Sequence, residues 1–154
     1  MSKIMSDSTS DLSDELYAQY DIDVIPLHVL LGEKEFDDGE TIQPEDIFTW
    51  ADKNKTTPKT SAPSLERVVA TFKKYIDRGD EIISFSIANT MSASGNIMRL
   101  AAEELDAEDR ISVIDSENLT TGMGHLVIEA AEMAQKGMSR SEIVAEVEAM
   151  RPYV

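Results

Sequence analysis

Apolar positions along this chain repeat at every second residue in some stretches and at every third or fourth in others, and the two periods exchange from end to end. Residues 3–6 read as a short apolar strand that ends in Asp7-Ser8-Thr9-Ser10-Asp11-Leu12. Ser13 then N-caps a helix running to about residue 20, with Asp14 and Glu15 favourable in its first turn. The apolar stretch 22–31 reads as a buried strand, and Gly32-Glu33-Lys34 turns it into a hairpin ending at Asp37-Asp38-Gly39. Pro44 suits the first residue of a helix to residue 52, and 53–59 is polar loop. Leu65, Val68, Val69, Phe72 and Ile76 hold the spacing of an amphipathic helix that Gly79 ends. A strand at 81–87, a helix at about 94–105 and a strand at 111–114 follow. Gly122-Met123-Gly124 reads as a turn into an alanine-rich helix to residue 136, and Ser139-Arg140-Ser141-Glu142 has the capping-box spacing that opens a last helix through residue 150.

Strands that alternate with helices throughout predict an α/β fold: a three-layer α/β/α domain with a mainly parallel sheet, whose ligands lie beyond the carboxyl ends of the strands. The chain shows no internal repeat and no domain linker. Its 154 residues, 42% of them apolar, suit one domain with a proper core. The longest apolar run carries Pro26 and His28 and is far too short to span a bilayer, so no integral membrane segment is expected. Without a cationic, apolar leader at its start, the chain is expected in the cytoplasm. The absence of cysteine removes disulfides, thiolate nucleophiles and thiolate metal sites. A net charge of −16, from 30 acidic and 14 basic residues, argues against a nucleic-acid partner.

Two hydroxyl-rich joints stand out at the ends of predicted elements. Thr60-Ser61-Ala62-Pro63-Ser64 and Asn89-Thr90-Met91-Ser92-Ala93-Ser94-Gly95 each lead into a helix, where hydroxyls and free backbone N–H groups can together hold an anion. Any one of Thr60, Ser61, Ser64 and Ser92 is explained by helix capping; their combination fits a carboxylic acid gripped by neutral donors, with an apolar remainder in a hydrophobic pocket. Asp7-Ser8 and Asp115-Ser116 sit at strand ends, where they satisfy turn N–H groups and border the same edge. Met91 flanks the second joint as a flexible apolar wall.

Other chemistries fit less well. A serine hydrolase needs a base, and only His28, inside an apolar strand, and His125, at the start of a helix, are on offer; the glycine two residues before Ser92 in a nucleophile elbow is replaced by Thr90. Asp37-Asp38-Gly39-Glu40 lacks the spacing of a calcium loop, and Gly122-x-Gly124 lacks the third glycine of a dinucleotide fingerprint. No metal and no cofactor is expected.

Read together, these stations resemble the DegV family, which includes the fatty-acid-binding subunit of the bacterial fatty acid kinase. Ser6-Asp7-Ser8-Thr9-Ser10-Asp11-Leu12 resembles the family's T-D-S-T-A-D-L start, and Val24-Ile25-Pro26-Leu27 with Phe36-Asp37-Asp38-Gly39 its next segment. Thr60-Ser61-Ala62-Pro63-Ser64 resembles T-S-Q-P-S; the stretch from Ile87 through Met98 resembles S-S-x-L-S-G-T-Y; and Val113-Ile114-Asp115-Ser116 with Gly122-Met123-Gly124 resembles I-D-S…G-x-G. The resemblance implies a DegV-like N-terminal domain spanning 1–154, a fragment without the family's second α/β domain. It implies that Thr60 and Ser92 hydrogen-bond a long-chain fatty-acid carboxylate with Ser61 in support, while Asp7, Ser8, Asn89, Met91, Ser94, Asp115 and Ser116 border the pocket. The implied function is a carrier that does no bond chemistry and presents its ligand to the catalytic subunit of a fatty acid kinase, for acyl-phosphate formation in phospholipid metabolism. The face left open by truncation is expected to favour self-association. The competing readings are a serine hydrolase using Ser92 and a non-catalytic protein-interaction module. Ala62, Ala88-Asn89 and Ala93-Ser94-Gly95 depart from the family pattern, at positions that shape the pocket.

Overall fold

The computed structural model describes residues 2–154. In chain order it contains β1 (Ser2–Asp7), α1 (Asp14–Gln19), β2 (Asp23–Ile25), β3 (His28–Leu31), β4 (Lys34–Asp37), α2 (Pro44–Asn54), β5 (Lys59–Ser61), α3 (Leu65–Ile76), β6 (Glu81–Ser86), α4 (Ser94–Glu104), β7 (Ile111–Asp115), α5 (Thr120–Gln135) and α6 (Arg140–Met150). Four strands form an all-parallel sheet in the order β2-β1-β6-β7. Three form a separate antiparallel sheet, β4-β3-β5.

The parallel sheet is the middle of three layers, and strand alternation decides which layer each side chain enters. Ile4, Ile83, Phe85 and Ile114 point to one face, where Met123, Leu126, Val127 and Ala130 of α5 and Ile143 and Val147 of α6 cover them. Met5, Ile82 and Ile111 point to the other, against Val68 and Phe72 of α3 and Met98 and Ala101 of α4. Full burial of each large apolar side chain here contributes about 1.5–3 kcal/mol. The small sheet has its own core, Val29, Leu31 and Ile42, closed by Phe36 and by Ile47 and Trp50 of α2.

The caps expected from the sequence are in place. Ser13 and Ser64 accept from the backbone N–H groups of Leu16 and Arg67, and Ser139 and Glu142 form a reciprocal capping box. Three expectations need correction. The run 22–31 is two strands in two sheets, because Pro26 lacks the N–H that a continuing ladder requires and the chain turns out of the parallel sheet there. The segment 53–59 is loop only in its middle: α2 extends to Asn54, and Lys59 already pairs with Leu30. Gly122 and Gly124 lie inside α5 and form no turn. A Cβ on Gly124 would stand 2.9 Å from the Ser10 carbonyl oxygen, so the glycine is what lets α5 pack on the turn after β1. Among the described residues no helix is long and apolar enough to cross a membrane, and no group of three or more His, Asp or Glu is placed to hold a metal ion.

Candidate functional site

The carboxyl ends of β1, β6 and β7 are tied together by the residues that follow them. Asp7, fully buried at the end of β1, accepts from the Ile87 backbone N–H at 2.7 Å through Oδ2, and from the Thr9 backbone (3.0 Å) and hydroxyl (2.6 Å) through Oδ1. Asp115 at the end of β7 accepts from the backbone N–H groups of Asn89 (3.1 Å) and Glu117 (3.0 Å). Ser116 donates its N–H to the Ser86 carbonyl at 3.1 Å, and Ala88 donates to that of Asn118 at 3.0 Å. Each carboxylate thus fixes the neighbouring strand's loop, and the 89–93 loop is held from both sides. Burial pushes the Asp7 carboxyl above its ordinary value, against the lowering effect of its hydrogen bonds from Thr9 and Ile87.

Ser92 lies in that held loop, half-buried. Its Oγ accepts from the Ser94 N–H at 3.2 Å and shares a 2.8 Å hydrogen bond with the hydroxyl of Ser94, which is fully buried. When Ser94 Oγ donates to Ser92, the Ser92 O–H is free to donate outward to an anion. α4 then begins with Ala93 as its N-cap residue and no side-chain cap. Asn89 is exposed, with its side-chain oxygen over Gly95: a Cβ at Gly95 would meet Asn89 Oδ1 at 2.5 Å and Ser86 Oγ at 2.6 Å. Met91 is 58% exposed on the loop, and Leu119 on the next loop is 40% exposed.

Thr60 and Ser61 end β5, the edge strand of the small sheet, rather than a free turn. Thr60 stands opposite Val29 and Ser61 opposite His28, so successive hydroxyls address opposite faces of that sheet. The small sheet is bound to the carboxyl edge of the large one: Ser8 Oγ accepts from the Leu27 N–H at 3.1 Å, and Asp38 donates its N–H to the Leu27 carbonyl at 2.9 Å. Asp38 is close enough to Asp11 to add to the burial that raises the Asp11 carboxyl. After Ser61 the chain passes Pro63 and the cap Ser64 into α3, which packs beside α4 in one layer. α4 connects the parallel strands β6 and β7 and so starts at this edge, while the last residue of α3 shares Arg110 with Asp80 at the opposite end, where β6 and β7 begin, so α3 also runs from the edge that carries the 89–94 joint.

Sequence reasoning weighed His28 only as a poorly suited base inside an apolar strand. Its Nδ1 lies 3.1 Å from Asp37 Oδ1 and 3.7 Å from Glu35 Oε1. The nitrogen is buried, yet the ring is out of line for a hydrogen bond. Arg67 of α3 reaches the same carboxylate at 3.7 Å and Glu40 at 2.6 Å. The strand pairing that aligns these groups joins residues 9 and 33 apart, a relation that no local pattern reveals.

Residues 1–154 match the model of the DegV family, described as uncharacterised proteins. A DegV domain-containing protein of Clostridium perfringens is 34% identical over 152 residues, which cover 99% of this chain and 54% of that protein. A DegV domain-containing protein of Listeria monocytogenes is 35% identical over 150 residues, 97% of this chain and 53% of the relative. The chain therefore spans about half the length of these curated relatives. Among solved structures, the chain is similar to a fatty-acid-binding DegV family protein of Thermus thermophilus, with a TM-score of 0.89 and 30% identity over 98% of this chain and 53% of that one. It is also similar to a stearic acid-binding protein of Eubacterium ventriosum, with a TM-score of 0.87 and 31% identity over 97% of this chain and 53% of the other.

Proposed function

The chain belongs to the DegV family, and from that premise we propose that it binds a long-chain fatty acid and presents the carboxylate to a separate ATP-using kinase that forms the acyl phosphate. The observation that carries the reading is the paired joints at one sheet edge, on a fold shared with solved proteins described as fatty-acid-binding. Thr60 and Ser92 donate to the carboxylate, with Ser61 in support. Asp7, Asp115 and Ser116 hold the loops, Ser8 anchors the small sheet, and Ser94 orients the Ser92 hydroxyl. Met91 and Leu119 offer apolar surface next to the head group, where the acyl chain leaves it. In this reading, chain beyond these 154 residues, in a protein of the relatives' length, completes the acyl site.

The chain does no bond chemistry in this reading. A hydrolase at Ser92 would need a base, and the hydrogen-bond partner of the Ser92 hydroxyl is Ser94. Lipid extraction and mass spectrometry of a purified full-length DegV relative carrying these residues test the proposal. An unmodified fatty acid that co-purifies and is lost on Ser92→Ala is the expected result. Ester turnover that disappears in Ser92→Ala would replace the carrier with an enzyme, and neither ligand nor turnover would leave a protein-interaction module.

A further inference from the structure

In a chain without cysteine, methionine carries all the sulfur, and its eight copies are not equally placed. Met5, Met98 and Met123 are fully buried, and the hydroxyls of Ser84 and Thr9 donate to the sulfurs of Met98 (3.3 Å) and Met123 (3.4 Å). Met133 is buried, and Met138 and Met150 are half-buried against the core that α5 and α6 form. Met91 is the one exposed methionine among the described residues, and it directly precedes Ser92 in the second hydroxyl joint. We propose that Met91 is an oxidation site that regulates the head-group joint: a peroxide converts its thioether to the sulfoxide, and the polar product weakens the grip on a fatty-acid carboxylate. The inference rests on the fatty-acid reading above and adds a regulatory chemistry to it.

The loop itself makes the state of this side chain matter at Ser92. Asp115 holds the Asn89 N–H at 3.1 Å, Ala88 donates to the Asn118 carbonyl at 3.0 Å, and the N–H groups of Met91 (2.8 Å) and Ser92 (3.3 Å) both return to the Ala88 carbonyl. With its backbone fixed in this way, the turn presents Met91 and Ser92 as neighbours in one set arrangement. In the reaction the sulfur lone pair attacks one peroxide oxygen, and the S–O bond forms as the O–O bond breaks. The hydrogen on the transferred oxygen passes to the departing hydroxide, which leaves as water. Sulfur is oxidised by two electrons, the peroxide is reduced, and methionine sulfoxide reductases reverse the change. The product replaces apolar surface with a strong hydrogen-bond acceptor. Next to Ser92, whose O–H is free to donate outward when Ser94 donates to it, that oxygen competes with the carboxylate for the same proton. The core methionines are spared, because burial keeps peroxide from their sulfurs and hydroxyl donors already engage two of them.

Dilute hydrogen peroxide on the 154-residue chain, followed by peptide mass mapping over time, tests the site; sodium octanoate, followed by amide NMR, tests its effect. Met91 is expected to gain one oxygen about ten-fold or more faster than Met98 and Met123, since susceptibility follows exposure, and excess octanoate is expected to slow that gain. Protein oxidised at Met91 is expected to bind octanoate roughly four-fold or more weakly, the factor for one methylene's worth of lost apolar contact, and a methionine sulfoxide reductase is expected to restore the binding. In Met91→Leu, which keeps the volume and has no sulfur, peroxide is expected to make no difference to whatever octanoate affinity that variant has. This inference alone is overturned by Met91 reacting no faster than the buried methionines, by oxidation that octanoate does not slow, by equal affinity before and after oxidation, or by an equal peroxide effect in Met91→Leu. Amide signals of Thr60 and Ser92 that respond to octanoate in neither form would overturn the fatty-acid reading and this inference with it.

Discussion

At Asp7 burial raises the carboxyl above its ordinary value, and the three donors that converge on its oxygens oppose that shift while tying the loop to the strand end. Asp7→Asn keeps the shape but turns an NH2 group towards either Ile87 N–H or Thr9, leaving a buried donor facing a donor. Loss of about 1–3 kcal/mol is expected in urea unfolding. A variant as stable as the parent would show that the three hydrogen bonds do not hold the loop. Asp11 behaves differently. It is exposed, sits at φ 49, and burial and Asp38 together raise its carboxyl above the ordinary 3.8. An acid whose folded value is raised lends stability below its unfolded value and loses it as pH rises through the folded one. Asp11→Asn removes that loss, and asparagine tolerates the left-handed backbone. Solvent screening and the hydrogen bond from Thr120 keep the gain at neutral pH small, and urea unfolding across pH is expected to show a flatter stability profile above about pH 4. At Ser92, replacement by alanine in a full-length protein should weaken fatty-acid binding by one to two decades, from roughly 1.5–3 kcal/mol for a hydrogen bond to a charged group. Calorimetry that finds unchanged affinity would move the head group elsewhere.

At the scale of elements, α5 shows how a helix is positioned by what one residue lacks. Gly124 lets its backbone approach the Ser10 carbonyl, and Gly124→Ala forces the helix or the turn after β1 to move. About 1–3 kcal/mol should be lost, read as a lower urea midpoint at unchanged slope. An unaffected midpoint would mean that the 8–10 turn yields freely. The same glycine explains a misreading: a Gly-x-Gly pair signals a turn by local propensity, whereas Gly124 sits inside a helix and is required by the close approach of a segment more than a hundred residues away. Helices and strands with strong periodicity, such as Leu65–Ile76 and Glu81–Ser86, were legible because their apolar spacing matches the faces they bury. The split of 22–31 between two sheets was written in Pro26, whose missing N–H was outweighed by the apolar content around it. In the candidate site, the hydroxyls and strand-end carboxylates were legible as residue types at strand-to-helix joints. The bonds from Asp7 to Ile87 and from Asp115 to Asn89, and the row from Ser61 to Asp37, depend on sheet order and register and were not.

For the molecule as a whole, apolar groups gather at the loops beside the candidate site. Met91 and Leu119 flank the held loops, while Tyr153 is 90% and Val154 47% exposed, with the Val154 carbonyl accepting from Asn118 Nδ2 at 3.4 Å. The curated relatives are about twice this length, and in the proposed reading residues beyond these 154 complete the acyl site, so the 154-residue protein is expected to bind palmitate weakly. Each methylene left in water forgoes about 0.8 kcal/mol, and a few exposed carbons remove several decades of affinity. The exposed apolar groups at these loops are expected to favour self-association. Net charge −16 opposes it, so association should strengthen with salt as the screening length falls from about 10 Å at 0.1 M to about 3 Å at 1 M. Light scattering across protein and salt concentrations, paired with palmitate calorimetry, reads both effects. Dimers that grow with salt and millimolar rather than submicromolar palmitate binding are expected. A strict monomer at every salt concentration that binds one palmitate tightly would place the whole acyl site within these residues, and the second half of the relatives would then serve another purpose.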